Sequence, residues 1–416
     1  MSAEARATGI PRESFLVAVS VFLVIAATNI MTPLLPDIRN DFGVSISTAG
    51  VIVGSYGLAR LVTDLPAGFV IDAIGHRRVA LAGLLLLVAS SILGWNASTV
   101  EMLVAARVGS GVAVALVTTV TLASLGASAT AANRGKVMSL FHVANNIGIA
   151  AYPLIGGVVG AAFGWRATFG VTVVLAILAG LILAPVLLRL RIKRESGAAG
   201  GKGDARVLHG RERTIALGAI NYGVIANMVN RHGFRNTVLP LYAATALGLG
   251  GVSIATAIAL MALTGLLVAT PGGMIGDRFG RRRVIMTGLV AIAIGDLVFL
   301  FTHDLLTFLA LSALIGFGDF FSSSQTALLS ETVPSQHRTK VLAGYRFSSD
   351  LGAFLGPVVL AAVMDLANAQ SSIVLAAALL VSASLAAFLG VPARVDDRPG
   401  RATSALAGVG GASDGD

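Results

Sequence analysis

Long apolar runs decide what this chain can become. Residues 15–33, 79–95 and 169–190 are dominated by aliphatic, aromatic and small side chains. At about 1.5 Å per residue, helical runs of this length cross the roughly 30 Å hydrocarbon core of a bilayer. Twelve such runs can be counted. Hydrophobic residues make up 55% of the chain and charged ones 12%, about half the charge usual in a soluble domain. Lipid is the solvent that such a surface requires, so the fold class is an all-α membrane protein with twelve transmembrane helices.

The net charge of +9 fits insertion topology better than a nucleic-acid partner, because the basic residues fall in alternate loops and short basic loops stay in the cytoplasm. With no cysteine, disulfides, thiolate catalysis and Cys-based metal sites are excluded. The run from Phe15 lacks a small-residue cleavage site and reads as a retained first helix. Residues 197–203 approach a phosphate loop but lack its first glycine and a Ser or Thr after Lys202. No paired-His metal motif or nucleophile elbow is present, so neither an enzyme nor a cofactor is expected.

Taken in order, residues 1–13 form a cytoplasmic tail and 14–190 a first six-helix bundle. Residues 191–213, rich in glycine and basic side chains, form a cytoplasmic linker. Residues 214–392 form a second bundle, and 393–416 a disordered tail. Both termini are placed in the cytoplasm. The halves repeat: Asp277 follows Asp72 by about 205 residues, and Pro357 follows Pro153 and Arg338 follows Arg134 by about 204 each. Two pseudo-symmetric bundles of this kind place a binding site at mid-membrane between them.

The repeat includes a loop motif. Gly68-Phe-Val-Ile-Asp72-Ala-Ile-Gly75-His76-Arg77-Arg78 joins crossings 2 and 3, and Gly273-Met-Ile-Gly-Asp277-Arg278-Phe-Gly280-Arg281-Arg282-Arg283 joins crossings 8 and 9. Both resemble the loop signature of the major facilitator superfamily, Gly-x-x-x-Asp-x-x-Gly followed by two basic residues. In crossing 4, Arg107-Val-Gly-Ser110-Gly111 resembles the family's Arg-x-x-Gln-Gly motif, with Ser110 in the Gln position. In crossing 5, Gly148, Tyr152-Pro153 and Gly156-Gly157 resemble the antiporter motif, with Tyr152 in place of glycine. The repeat partner in crossing 11 has Gly352 and Gly356-Pro357 but lacks the glycine pair. The resemblance implies that Asp72 contacts crossing 11 to shut the inner gate in the outward-open state, and that Arg107 takes part in proton coupling. The alternatives are that the basic loops only set topology and that Arg107 snorkels to the outer interface. The glycines and prolines of crossings 5 and 11 read chiefly as packing devices.

Charges inside the apolar runs narrow the mechanism. Arg60, Asp64, Gly68 and Asp72 recur every four residues and share one face of crossing 2. Arg346 and Asp350 are four apart on crossing 11, at similar depths. One expectation is a cross-paired tetrad, Asp64 with Arg346 and Arg60 with Asp350, that closes the inner gate and breaks when it opens. The other is a bridge within each helix. Crossing 7 is the most polar, with Asn221, Asn227, Asn230, Arg231, His232, Arg235 and Asn236. Either Arg231 pairs with Asp319 of crossing 10 and the pair titrates, or Arg231 and Arg235 hold an anionic substrate. Asn29, His142 and the Asn145-Asn146 pair are cavity candidates. Asn29 stands where related exporters carry a carboxylate, so protonation falls to Asp319, Asp64 or Asp350, while Asp296 reads as structural.

The resulting expectation is a monomeric secondary active transporter of the inner membrane, exporting small organic or drug-like molecules in exchange for protons. Organic-anion uptake or exchange through Arg231 and Arg235 is the second reading. A non-transporting sensor on the same fold is the third.

Overall fold

The computed structural model describes residues 10–130, 133–189, 208–334 and 337–393, and every regular element among them is helical. Eleven of these helices are long and apolar enough to span a bilayer. The missing span is crossing 7, whose asparagines and arginines lower its hydropathy below that of a lipid-facing helix. It runs as Gly210–Met228, a π-helical stretch Val229–Val238, and Leu239–Ala246. Counting it, the chain is a twelve-helix membrane protein in two bundles.

Local chemistry sets the helix ends. Crossings 2, 4, 10 and 12 start on side-chain caps: Ser45, Thr99, Asp304 and Asn368 each accept the N–H of the third residue onward. All four lie at the membrane end opposite the two basic loops. At the basic end, crossing 2 (Ile46–Ile74) turns into crossing 3 (His76–Trp95) at Gly75, where φ is +93°. Crossing 8 (Gly251–Phe279) turns into crossing 9 (Arg281–Val298) at Gly280, where φ is +99°. Side chains rarely adopt such angles, which accounts for this glycine in both loop copies.

The first bundle packs crossing 1 (Arg12–Asn29 continued by Leu35–Phe42) against crossings 4, 5 and 6, and crossing 4 (Val100–Ser128) against crossings 2 and 3. The second packs crossing 11 (Arg338–Leu366) on crossing 7, crossing 12 (Ala369–Gly390) on crossings 7 and 9, and crossing 8 on crossing 10. Between bundles, crossing 2 meets crossing 11, and crossing 5 (Arg134–Phe163) meets crossing 8. Replacing each member of one seam by its repeat partner, 2 by 8 and 11 by 5, produces the other, as a two-fold relation between halves requires. The outward faces stay apolar, with Leu85 70% and Leu181 68% exposed, which is surface for lipid rather than water.

Two boundaries need comment. The expected linker at 191–213 and tail at 393–416 fall largely on residues outside those described, as do residues 1–9. Crossing 7 begins earlier than expected, because Leu208 is already buried and its N–H donates to the Thr332 carbonyl at 3.1 Å. That contact ties the start of the second bundle to the end of crossing 10.

Candidate functional site

The seam between bundles is closed at one end and splayed at the other. Opposite the basic loops, Gly50, Gly54 and Gly57 of crossing 2 bring its backbone onto Pro357, Phe354 and Ala353 of crossing 11. A Cβ on Gly57 would stand 2.9 Å from the Ala353 carbonyl oxygen, so only glycine permits this approach. Ser47 Oγ donates to Asp365 Oδ2 at 2.7 Å and completes the closure. At the other seam Gly157 of crossing 5 lies against Gly251, Val252 and Ala255 of crossing 8, while Gly156 packs inside the first bundle on Ile30. Toward the basic loops the same face loses its partner: Gly68 has no atom within 4 Å of the Cβ position, and Phe69 is 78% exposed. Asp72, Arg77 and Arg78 are exposed there too.

Charged groups gather where the seam begins to part. Arg60 lies one turn past Gly57, and its Nη2 is 3.7 Å from Asp350 Oδ1 and 3.5 Å from Asp64 Oδ2. The cross-helix pair and the in-helix bridge therefore coexist on one nitrogen. Arg346, nearer the splayed end, is exposed, and the structure does not bring it onto Asp64. Of the two expected cross-pairs, Asp64 and Arg346 are apart in this conformation, while Arg60 and Asp350 remain close although the basic-loop end is open, because Arg60 sits at the crossing point where the helices still touch.

Arg107 is buried, with Nη1 donating to the Ala27 carbonyl at 2.8 Å and its guanidinium 4.7 Å from the centre of the Tyr56 ring. Tyr56 in turn shares a 2.6 Å hydrogen bond with Thr28. The arginine is thus held inside the first bundle and does not snorkel. Tyr152 takes the glycine position of the crossing 5 motif and stacks on Phe22 at 5.1 Å, while Gly148 faces Ile25. Pro153 and Pro357 lie inside their helices.

In the second bundle the expected Arg231–Asp319 pair is replaced by its neighbour. Arg235 donates from Nη1 to Asp319 Oδ2 at 2.8 Å and from Nη2 to Oδ1 at 3.2 Å. Both side chains are buried, so Arg235 does not reach the outer surface. The reason is helical pitch. Residues 229–238 are π-helical, and the wider turn rotates Arg235 inward relative to the α-helical count from Asn227. Gly352 and Gly356 serve this stretch, packing on Ile225, Met228, Val229 and Gly233 of crossing 7. Crossing 10 is also irregular beside the ion pair, running as Leu305–Phe317, a 3₁₀ turn Gly318–Phe321, and Ser322–Glu331. Such departures from α geometry at membrane depth belong where backbone is enclosed by protein. Arg231 is half-buried and makes no ion pair with a described residue. Asn29 and Asn227 are buried, whereas His142 is exposed and Asn146 half-buried.

The second loop copy is tied locally. Arg281 bridges Asp277 at 2.8 Å and Glu331 at 3.0 Å, and Arg282 donates to the Phe388 carbonyl at 2.6 Å. Gly273 lies in the last turns of crossing 8. Two further residues join the Arg235–Asp319 cluster. Asn230 bridges Arg235 to Asp296, and Asp296 is fully buried. The available signal was a lone acid in the middle of an apolar run.

Comparison with known proteins agrees with this geometry. A family model described as Major Facilitator Superfamily matches residues 17–232 and 223–411. An uncharacterized MFS-type transporter of Methanocaldococcus jannaschii is 25% identical over 366 residues, covering 85% of this chain and 92% of the relative. The cephamycin export protein of Amycolatopsis lactamdurans is 32% identical over 167 residues, 40% of this chain and only 34% of that protein. A bacterial homolog of the human lysosomal transporter Spinster, solved in an inward-facing and occupied conformation, superposes with a TM-score of 0.72 at 15% identity, covering 93% of this chain and 98% of that one.

Proposed function

Because the chain belongs to the major facilitator superfamily, we propose that it is a secondary active transporter that exports small organic molecules in exchange for protons. The carrying observation is the seam. Glycine contacts shut one end, the other end is open, and Arg60, Asp64 and Asp350 sit at the depth where the two regimes meet. Rocking the bundles about that depth exposes the site alternately to each side. With the basic loops in the cytoplasm, the described conformation is inward-open. The export sense draws on the relative named for cephamycin export. Protein reconstituted in liposomes is expected to move cephamycin faster when a pH gradient is imposed. Flux indifferent to the gradient at every pH would sink the coupling.

Arg231 supports a second reading, the exchange of organic anions. A half-buried guanidinium that makes no ion pair with a described residue at membrane depth is stabilised by an incoming anion. Competition of benzoate with cephamycin, abolished by Arg231→Ala, is the expected result for that reading. Equal competition in the variant removes it.

A further inference from the structure

The mechanism so far leaves one buried acid unused. Asp296 of crossing 9 has no exposed surface. Its Oδ2 accepts a hydrogen bond from the Asn230 amide, and its Oδ1 has no partner. The Oδ1 of the same asparagine accepts from Arg235 Nε at 3.1 Å, and Arg235 gives its two remaining nitrogens to Asp319. One neutral amide therefore links Asp296 to the buried Arg235–Asp319 ion pair.

Among the described residues, no further cation pairs with Asp296 itself. Crossing 12, which packs along crossing 9, has no ionisable residue between Ala369 and Gly390. Crossing 8 has only Asp277 and Arg278, in its loop-end turn. Crossing 10 offers Asp319 itself and Glu331, the latter held by Arg281 at the basic end. Crossing 7 adds Arg231 and His232 beyond Asn230 and Arg235; both are half-buried, and the Arg231 charge acts on Asp319 rather than pairing with Asp296. An ionised Asp296 in this apolar setting lacks both water and a cation of its own, a state far costlier than the neutral acid.

Packing does not explain the network. With the repeat offset of about 204 residues, Asn230, Arg235, Asp296 and Asp319 correspond to Ala26, Met31, Ile92 and Ala115 of the first bundle. The same architecture is built there from apolar side chains, so the polar set is an addition to the second bundle.

We propose that Asp296 holds the coupling proton and that Asn230 ties its charge state to the Arg235–Asp319 pair. With the proton on Asp296, the group of Arg235, Asp319 and Asp296 is neutral and stays closed. When the site opens to water, the proton leaves Asp296 to solvent. The new carboxylate then competes with Asp319 for Arg235 across the Asn230 bridge. Asn230 and Arg235 both lie on the π-helical stretch of crossing 7, which is pinned to crossing 11 at Gly233 and Gly356. A change in that competition is thereby passed to the seam with the first bundle. Asn230 is a positioning residue here and carries no proton.

This inference rests on the proton-coupled reading, but it can be tested without a substrate. Infrared spectra of the full chain in detergent, recorded across pH, should show a protonated carboxyl band near neutrality that Asp296→Asn removes. The chain has no native cysteine, so one cysteine at Val143, exposed on crossing 5 toward the open end, reports opening by its maleimide labelling rate. Taken relative to free cysteine in solution, which cancels the pH dependence of thiol ionisation, that rate should depend on pH in the parent and lose this dependence in Asp296→Asn. Asp296→Glu, which keeps the carboxyl, should shift the profile rather than flatten it, and stands in should the asparagine variant not fold. Persistence of the band in Asp296→Asn, or a profile unchanged in both variants, overturns the proposal. The expected band and profile together with pH-indifferent cephamycin flux would count against proton-coupled export alone.

Discussion

Arg235 shows how a single side chain can be misassigned by counting turns. A spacing of four residues from Arg231 places both arginines on one stripe only while the backbone remains α-helical, and the π-helical stretch removes that condition. The resulting pair with Asp319 is buried and doubly hydrogen-bonded, so removing one partner strands the other. Arg235→Met should cost about 3–5 kcal/mol in unfolding free energy. Adding Asp319→Leu should recover most of that loss, as read by denaturation in detergent. Additive losses in the double variant would mean that the two side chains do not stabilise each other. Arg60 carries a related prediction. Its contact with Asp350 at 3.7 Å crosses the bundles, so exchanging their charges should restore part of the flux lost in each single reversal. The same exchange between Asp64 and Arg346, which are not in contact, should restore none.

Among the elements, the seam helices are governed by where glycine sits. Gly50, Gly54 and Gly57 lie on the face of crossing 2 that touches crossing 11, and Gly68, on the loop-bearing half, touches nothing in this conformation. Gly57→Leu should prevent closure at the end opposite the basic loops, seen as increased labelling of a cysteine at Ser47. Unchanged labelling would place the closing contact elsewhere. The turns make a different demand. Gly75 and Gly280 combine positive φ with extended ψ, a region nearly closed to side chains, so alanine at either should cost about 1–3 kcal/mol. Melting temperatures of the two variants check this, and equal losses are expected because the two loops have nearly the same backbone. The paired loop motif and the glycines of crossings 5 and 11 were legible in the sequence, whereas the role of Gly50, Gly54 and Gly57 depended on which helix they face. The π-helical stretch was not legible, because nothing in residues 229–238 distinguishes a wide turn from an α-helical one until Gly233 meets Gly356 of crossing 11.

For the whole molecule, the proposed transport cycle makes the seams between crossings 2 and 11 and between crossings 5 and 8 the parts that must move. A cysteine pair replacing Ser47 and Asp365, which share a 2.7 Å hydrogen bond, should cross-link on oxidation and arrest flux until reduced. Continued flux with the bridge intact would rule out rocking at this seam. The sequence by itself determined the solvent, the class and the duplication: apolar runs of membrane-spanning length admit only helices in lipid, and matching offsets require two like halves. It also carried the candidate charges, since ionised groups in such runs are costly enough to stand out. Tertiary structure decided which charges meet, because ion pairing depends on depth, pitch and separation between helices that composition does not encode. Arg235 rather than Arg231 reaches Asp319, Arg60 serves Asp64 and Asp350 together, and Asp296 joins the network through Asn230. Those outcomes rest on a few ångströms of helix placement set by packing across the bundles.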